Sequence, residues 1–181
     1  MPGVEKVRAL LQAPEEIANT MESRAKLVGH PIHQMLIVFP VGLLATASAF
    51  DLIHLLFDSQ AMVSAAYWIL SAGLIGALVA APFGTIDWLA IPAETRAKRI
   101  GALHGVGNAI VSLLYVASWF LRPDSVTPAG GGALALSFVG AALLVVTGWL
   151  GAEPVSRLGV GVADRASLNT PSSLRTTMNE P

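Results

Sequence analysis

Cysteine and charged residues are what this sequence has least of. Its 181 residues include no cysteine, and only 13% of them are charged. Without cysteine, the chain cannot form disulfides, Cys-ligated iron–sulfur clusters, thiolate zinc sites or covalently attached c-type haem. A soluble domain carries about 25% charged residues, so this chain has too little charge to cover a soluble globule. The formal net charge of -1 also excludes the basic surface of a typical nucleic-acid-binding protein.

Long apolar runs are what the sequence has in abundance. Hydrophobic residues make up 54% of the chain. A bilayer span needs about 20 mostly apolar residues, and four segments meet this length: 32–55, 63–90, 100–121 and 132–152. A soluble helical bundle would need a charged face on each helix, which these segments lack. The sequence therefore predicts an all-α polytopic membrane protein whose four-helix bundle occupies residues 27–154.

The cations indicate how the bundle is oriented. Arg122 is the single one of the eleven lysines and arginines that falls between the first and second or the third and fourth predicted spans. Because cytoplasmic loops are enriched in Lys and Arg, both termini are predicted to be cytoplasmic. Residues 1–26 are predicted to include a short amphipathic helix on the membrane surface. Residues 155–181 are predicted to form a polar, largely disordered tail.

Most polar residues within the spans lie near the ends predicted to be cytoplasmic. His33 lies seven residues past Lys26, and His104 lies five residues past Arg99. At about 1.5 Å per residue, the two imidazoles are expected at similar depth. Ionisable residues inside a membrane are costly and usually functional. The sequence thus predicts one site on which six residues converge: His30, His33, Asp87, His104, Asn108 and Glu153.

A short internal similarity favours a two-plus-two tandem repeat. The segment Asp87-Trp88-Leu89 resembles Gly148-Trp149-Leu150, and each ends the second helix of a predicted hairpin. Parallel repeats in membrane proteins are related by an axis along the membrane normal. Such an axis would place His33 and His104 opposite one another across the bundle.

The first interpretation of the site is a haem b. Histidines on facing helices of a bundle ligate haem iron from both sides. His33 and His104 would be the axial ligands, and His30 and Asn108 would be further cofactor contacts. The function would be electron transfer, with quinone as a candidate partner. The cations of Lys26, Arg96 or Arg99 would then pair with the haem propionates.

Glycines near His104 are consistent with this interpretation but do not require it. Gly101 and Gly105 lie about one turn to either side of His104. Their missing side chains would leave room for a macrocycle. The same spacing is also typical of a close helix–helix contact through small residues.

Two other interpretations stay open. The first is a non-haem metal ion, for which imidazole and carboxylate are suitable ligands; the candidates are His30, His33, His104, Asp87 and Glu153. The second is a polar packing network in an accessory subunit of a larger membrane complex, or in a homo-oligomer. No phosphate-binding loop, nucleophile elbow or HExxH pattern is present, so we expect no independent enzymatic activity.

One further polar pair is predicted at the opposite end of the first span. Asp51 and His54 are three residues apart on one helix face, which places them within contact distance. We expect them to pair with each other in a structural role.

Several ordered motifs resemble a bacterial membrane protein family catalogued as domain of unknown function 2231. The resemblance covers residues 27–163, with departures at Gln34 and Pro154. It implies a four-span protein of the bacterial inner membrane in a redox setting, with a Rieske-type partner on a separate chain. The motifs are Gly29-His30-Pro31-Ile32-His33, Phe39-Pro40-Val41-Gly42, Asp87-Trp88, Leu103-His104 with Asn108, Gly148-Trp149-Leu150-Gly151 with Glu153, and Gly159-Val160-Gly161-Val162.

Overall fold

The structure is a computed structural model, and it describes residues 20–164 and 166–176. Almost all of its regular structure is helical. In chain order the elements are β1 (Lys26–Leu27), β2 (His30–Pro31), α1 (Ile32–Leu36), α2 (Val38–Phe57), α3 (Gln60–Ala90), α4 (Arg96–Phe120), α5 (Gly131–Leu158) and α6 (Ser173–Thr176).

Four helical segments are long and apolar enough to cross a membrane. The first span consists of α1 and α2 together, and α3, α4 and α5 form the second, third and fourth spans. The predicted all-α polytopic fold is therefore confirmed. Helix continues past the apolar runs: α4 begins four residues before the predicted third span, and α5 ends six residues after the predicted fourth span.

Local signals in the sequence set these ends. The Thr95 hydroxyl accepts a hydrogen bond from the Lys98 amide at 3.1 Å, which caps the start of α4. Gly159 ends α5 in the left-handed region, with φ of 66°. Pro40 divides the first span, because its ring cannot donate to the carbonyl of Leu36, the residue at which α1 ends.

The two ends of the bundle differ in what they hold. The terminal end, as we call it, carries residues 20–31, the loop 91–95 and the residues after Leu158; the far end carries the loops 58–59 and 121–130. Of the predicted N-terminal helix, residues 1–19 lie outside the described residues, and residues 20–26 are not helical. Of the predicted disordered tail, residues 165 and 177–181 also lie outside them.

The core is small and the outward faces are apolar. Six buried residues form its centre: Leu44, Ala47, Leu70, Val111, Tyr115 and Leu144. Large apolar side chains point away from the bundle on every span, and Leu78 and Val145 are 77% and 75% exposed. This is the reverse of a soluble bundle, so lipid is the medium that these faces contact.

Matching contacts reveal the internal repeat. His33 packs on Gly84 of α3, and His104 packs on Gly151 of α5. Leu44 packs on Gly73, and Tyr115 packs on Gly140, in the same two helix pairs. First-span residues thus correspond to third-span residues 71 positions later, as 33 does to 104. Second-span residues correspond to fourth-span residues 67 positions later, as 84 does to 151.

The repeat therefore has a different register from the one the sequence indicates. The similarity of Trp88-Leu89 to Trp149-Leu150 pairs residues 61 positions apart, whereas the contacts of Gly84 and Gly151 require 67. The two tryptophans also differ in environment. Trp88 Nε1 donates to the Lys98 carbonyl at 3.1 Å, whereas Trp149 is 66% exposed. The similarity of the two Trp-Leu pairs in the sequence is therefore not a structural equivalence.

Candidate functional site

His33 is held at the start of the first span by a backbone carbonyl of α3. Its Nδ1–H donates to the carbonyl of Ala80 at 3.1 Å. The ring lies directly against Gly84, where a Cβ atom would come within 2.7 Å of the imidazole. The glycine is therefore needed to admit the ring, and the carbonyl fixes its orientation.

His104 repeats this arrangement in the second half of the chain. Its Nδ1–H donates to the carbonyl of Thr147 at 2.8 Å. Its ring lies against Gly151, where a Cβ atom would come within 2.5 Å of it. Two histidines in equivalent positions are thus oriented by equivalent helix carbonyls.

The hydrogen bonds at Nδ1 leave the lone pair of each ring on Nε2. In His104 this atom accepts a hydrogen bond from the side-chain amide of Asn108 at 3.0 Å. The equivalent of Asn108 in the first half is Ile37, and within the described part of the chain Nε2 of His33 has no hydrogen-bond partner. His33 and His104 therefore occupy equivalent positions of the two halves, and Asn108 lies in contact with His104.

The other predicted site residues have partners of their own. His30 lies in β2 on the surface, with its Nε2 3.5 Å from the hydroxyl of Ser173. Glu153 pairs with Arg96 at 2.7 Å. The carboxylate of Asp87 accepts hydrogen bonds from the Ser23 hydroxyl at 2.7 Å and from the amides of Arg24 and Ala25 at 2.7 and 3.1 Å. The convergence of all six residues that the sequence predicts is not seen.

These partners bear directly on the predicted non-haem metal set. Across residues 20–164 and 166–176, no group of three or more His, Asp or Glu side chains could hold a metal ion. The physical reason is that both predicted carboxylates are bound elsewhere, one by backbone amides and one by an arginine. What remains of the predicted set is a pair of equivalent imidazoles without a carboxylate partner.

The glycines beside His104 also serve other roles than expected. Gly101 faces the indole of Trp88, whose Cδ1 would lie 2.9 Å from a Cβ atom there. The Lys98 ammonium lies 4.1 Å from the centre of that indole and donates to the Trp88 carbonyl at 2.7 Å. Gly105 meets nothing within 4 Å. The space left by Gly101 is therefore filled by Trp88, and Gly105 borders open space.

Residues 20–31, which we call the clasp segment, close over the terminal end. The Met21 amide donates to the Gly159 carbonyl at 2.9 Å, and the Gly161 amide donates to the Met21 carbonyl at 2.6 Å. Ser23 is buried where it meets Asp87. No sequence pattern predicts these contacts, because most of the donors are backbone amides. An open surface groove of about 400 Å³ lies along it, lined by Thr20, Met21, Glu22, Ser23, Arg24, Lys26 and Asp164.

An ion pair is buried near the far end, and it corrects the predicted pairing of Asp51 with His54. Arg122 binds Asp51 through two hydrogen bonds, Nη1 to Oδ1 at 2.9 Å and Nη2 to Oδ2 at 2.5 Å. His54 instead donates from Nδ1 to the carbonyl of Ser59 at 3.2 Å. Arg122 prevails because a guanidinium matches both oxygens of a carboxylate, and no competing cation lies in the far-end loops.

Hydroxyl groups surround this ion pair in the bundle interior. Nη2 of Arg122 also lies 3.2 Å from the hydroxyl of Ser137, which in turn lies 2.9 Å from that of Ser118. Deeper in the bundle, the Tyr115 hydroxyl donates to the Leu44 carbonyl at 3.2 Å and lies 2.9 Å from the Ser48 hydroxyl. The far half of the bundle is therefore held together by polar contacts between the two repeats.

Comparison with known protein families identifies the family of this chain. Residues 29–164 match the family described as predicted membrane protein (DUF2231). This chain belongs to that family. The match begins at the glycine of the clasp segment and ends just after α5, so it contains both histidines, their carbonyl partners and the buried ion pair. No curated protein and no solved structure matches the chain. As a DUF2231 member with four apolar spans, it is an integral multi-pass membrane protein in contact with lipid.

Proposed function

We propose that this DUF2231 protein binds one haem b between His33 and His104 and transfers electrons as a subunit of a larger membrane complex. The observation that carries the proposal is the matched orientation of the two imidazoles. Each donates Nδ1–H to a helix carbonyl and so presents Nε2 as the basic atom. Histidines that ligate metals usually donate their other N–H in this way, which fixes the tautomer and the ring orientation.

The chemistry of the pair favours haem over a free metal ion. Two neutral imidazoles satisfy the axial positions of a haem iron, whose remaining ligands come from the porphyrin. A non-haem ion would need further protein ligands, and the described residues place no carboxylate with the two rings. Iron ligation by His104 would replace its hydrogen bond to Asn108. Arg99 is exposed at the terminal end, five residues before His104, and supplies a cation for a propionate.

A packing role is the second candidate, and one observation favours it. Both Nδ1 atoms and Nε2 of His104 already have hydrogen-bond partners within the protein. Interhelical hydrogen bonds of this kind contribute about 0.6 kcal/mol each in a membrane protein. In this case each histidine would only fix the packing of the two spans within its own half. The quinone expected as a partner of a haem and the Rieske-type protein implied by the family resemblance both belong to the first proposal.

The deciding experiment is a haem assay on the purified protein from haem-supplemented cells. We expect one b-type haem per chain, measured as the pyridine haemochrome and by iron content. His33→Ala and His104→Ala are each expected to lose it. His54→Ala is the matched control, because His54 lies at the other end of the bundle, and it is expected to keep the haem. A folded wild-type protein without haem would support the packing role instead.

Asn108→Leu separates the two roles further. It removes the donor that occupies Nε2 of His104. If the histidines ligate haem, this variant is expected to retain haem and to bind it several-fold more tightly, since no protein hydrogen bond has to break. If they only pack, the variant is expected to lower stability slightly and to bind no haem. Haem titration of the apoprotein and thermal unfolding measure these two outcomes.

A further inference from the structure

We propose that the buried Asp51–Arg122 pair determines which halves of the repeat associate: it makes the first half pair with the second half and prevents each half from pairing with its own copy in another chain. The proposal concerns the far end of the bundle and is independent of any haem.

The two charged residues are related by the spacing of the repeat, although Asp51 lies within α2 and Arg122 lies two residues beyond the end of α4. Asp51 and Arg122 are 71 residues apart, the same spacing that relates His33 to His104. Residues that contact their own symmetry equivalent must lie at the symmetry axis. Leu44 and Tyr115 have the same relation and also touch, through the Tyr115 hydroxyl and the Leu44 carbonyl. The ion pair therefore lies on the pseudo-two-fold axis between the halves.

Because the two halves are nearly equivalent, a first half could pack either against the second half of its own chain or against the first half of another chain. The same helix pairs and glycine contacts recur in both halves, so the first halves of two chains could approach each other in the same geometry. Such pairing would place Asp51 against Asp51 and Arg122 against Arg122. Two like charges buried in contact are strongly disfavoured, whereas the pairing of different halves gives a neutral, bidentate contact.

The pair is a poor choice for stability alone. The side chains of Arg122 and Asp51 are only 2% and 4% exposed. Nε of Arg122 is buried without a hydrogen-bond partner, the single such side-chain atom in the described residues. Apolar residues of similar volume often stabilise a core as well as or better than a buried ion pair. Selection of the correct partner is a reason for an ion pair that apolar residues could not supply.

Cross-linking tests the proposal in the full chain, which contains no cysteine of its own. The Trp119 indole donates to the Ser71 hydroxyl at 2.8 Å across the two halves, so Ser71→Cys/Trp119→Cys reports pairing of different halves. The equivalent of Trp119 in the first half is Ser48. Ser48→Cys/Ser71→Cys therefore gives a product of dimer mass when two first halves pair.

The neutral variant Asp51→Leu/Arg122→Met is introduced into both reporters. With the native charges we expect strong cross-linking in the first reporter and no dimer-mass product in the second. With the neutral variant we expect the first signal to fall at least several-fold and the dimer-mass product to appear. Removal of the exposed pair by Arg96→Met/Glu153→Leu is the matched control and is expected to leave both reporters unchanged.

Each outcome decides the proposal. If the neutral variant folds and keeps the native pattern in both reporters, the pair does not select partners. If it fails to fold, Asp51→Asn/Arg122→Gln replaces it, since this variant keeps volume and hydrogen bonding without charge. Failure of both neutral variants to fold would also overturn the proposal, because the pair would then be required for stability. Exchange of the charges, Asp51→Arg/Arg122→Asp, is expected to preserve the native pattern.

Discussion

The terminal and far ends of the bundle use the same pseudo-symmetry in opposite ways. At the far end, Asp51 and Arg122 are equivalent residues of opposite charge, and they neutralise each other on the axis. Towards the terminal end, His33 and His104 are equivalent and identical, and each is held by its own half through Ala80 or Thr147. Unlike residues join the two halves at one end. At the other end each histidine is bound within its own half, and among the described residues only Nε2 of His104 has a further partner, in Asn108.

Under the proposed function, this difference indicates that a ligand would bind at the terminal end. A symmetric pair of neutral donors is suited to a symmetric ligand between them, and haem iron is such a ligand. A neutralised ion pair has little left to offer a ligand. Substitutions at the two ends should therefore differ in effect. Those at the far end should lower the stability of the bundle, and those at the terminal end should change the geometry of the proposed ligand site.

The largest effect is expected from removal of one charge at the far end. Asp51→Ala leaves Arg122 buried without a counter-ion, and breaking a buried pair in this way costs about 3–5 kcal/mol. We expect a large fall in the midpoint of thermal unfolding in detergent. Asp51→Leu/Arg122→Met should stay close to the wild type. Equal losses in the single and double variants would show that the uncompensated charge is not the cause.

The next effect is expected from the glycines that admit the imidazoles. Gly84→Ala and Gly151→Ala place a Cβ atom within 2.7 and 2.5 Å of the ring atoms of His33 and His104, so each ring has to move. Overpacking of this kind costs about 1–3 kcal/mol, and haem content should fall with stability. Gly105→Ala is the matched control, because nothing lies within 4 Å of its Cβ position. A similar loss in all three variants would contradict the packing assigned to the rings.

A smaller and local effect is expected at the clasp segment. Asp87→Ala removes the acceptor for Ser23, Arg24 and Ala25, and each lost hydrogen bond contributes about 0.5–1.5 kcal/mol. We expect trypsin to cleave after Arg24 or Lys26 roughly ten times faster, with little change in global unfolding. Arg96→Ala, which breaks an exposed ion pair, should leave cleavage at these two residues unchanged. Unchanged cleavage in Asp87→Ala would mean that other contacts hold the segment.

The smallest effect is expected from pH at the same segment. The hydrogen bond and charge of Lys26 hold the pKa of Glu22 below its usual range. A lowered pKa means that the contact contributes fully at neutral pH and is lost as the pH falls through that lowered pKa, below the ordinary value of about 4.3. A fluorophore on Thr20→Cys should report a slight loosening in this acidic range. With Glu22→Gln the signal should lose that component, and a titration that persisted would point to another group.

The sequence predicts the architecture well, because length and apolarity alone determine what can cross a membrane. It predicts the depth of His33 and His104 for the same reason, since helix rise converts residue spacing into distance. It could not predict their partners, because the carbonyls of Ala80 and Thr147 carry no side-chain signal. The amides that bind Asp87 are equally invisible, so a carboxylate expected at the site proved to be an anchor for the clasp segment.

The Asp51–Arg122 ion pair is a different case, because the charges in the sequence were sufficient to predict it. Arg122 is the single cation predicted for the far side, and Asp51 is the single acid within the first predicted span, near the same side. A prediction based on charge balance within the bundle would have paired these two residues. The prediction failed by preferring the neighbour at three residues, His54, over a more distant residue of opposite charge. In a membrane interior, neutralising a charge outweighs proximity in sequence.

The contact between Met21 and Gly159 to Gly161 has a consequence for the order of biosynthesis. Chains emerge from the ribosome N-terminal end first, so Met21 is made long before its partners. Residues 23–25 can bind Asp87 once α3 is made, but the Met21 contact cannot form until all four spans have been synthesised and the residues after Leu158 have emerged. A chain truncated at Leu158 would therefore carry four complete spans but lack the contact of Met21 with Gly159 and Gly161.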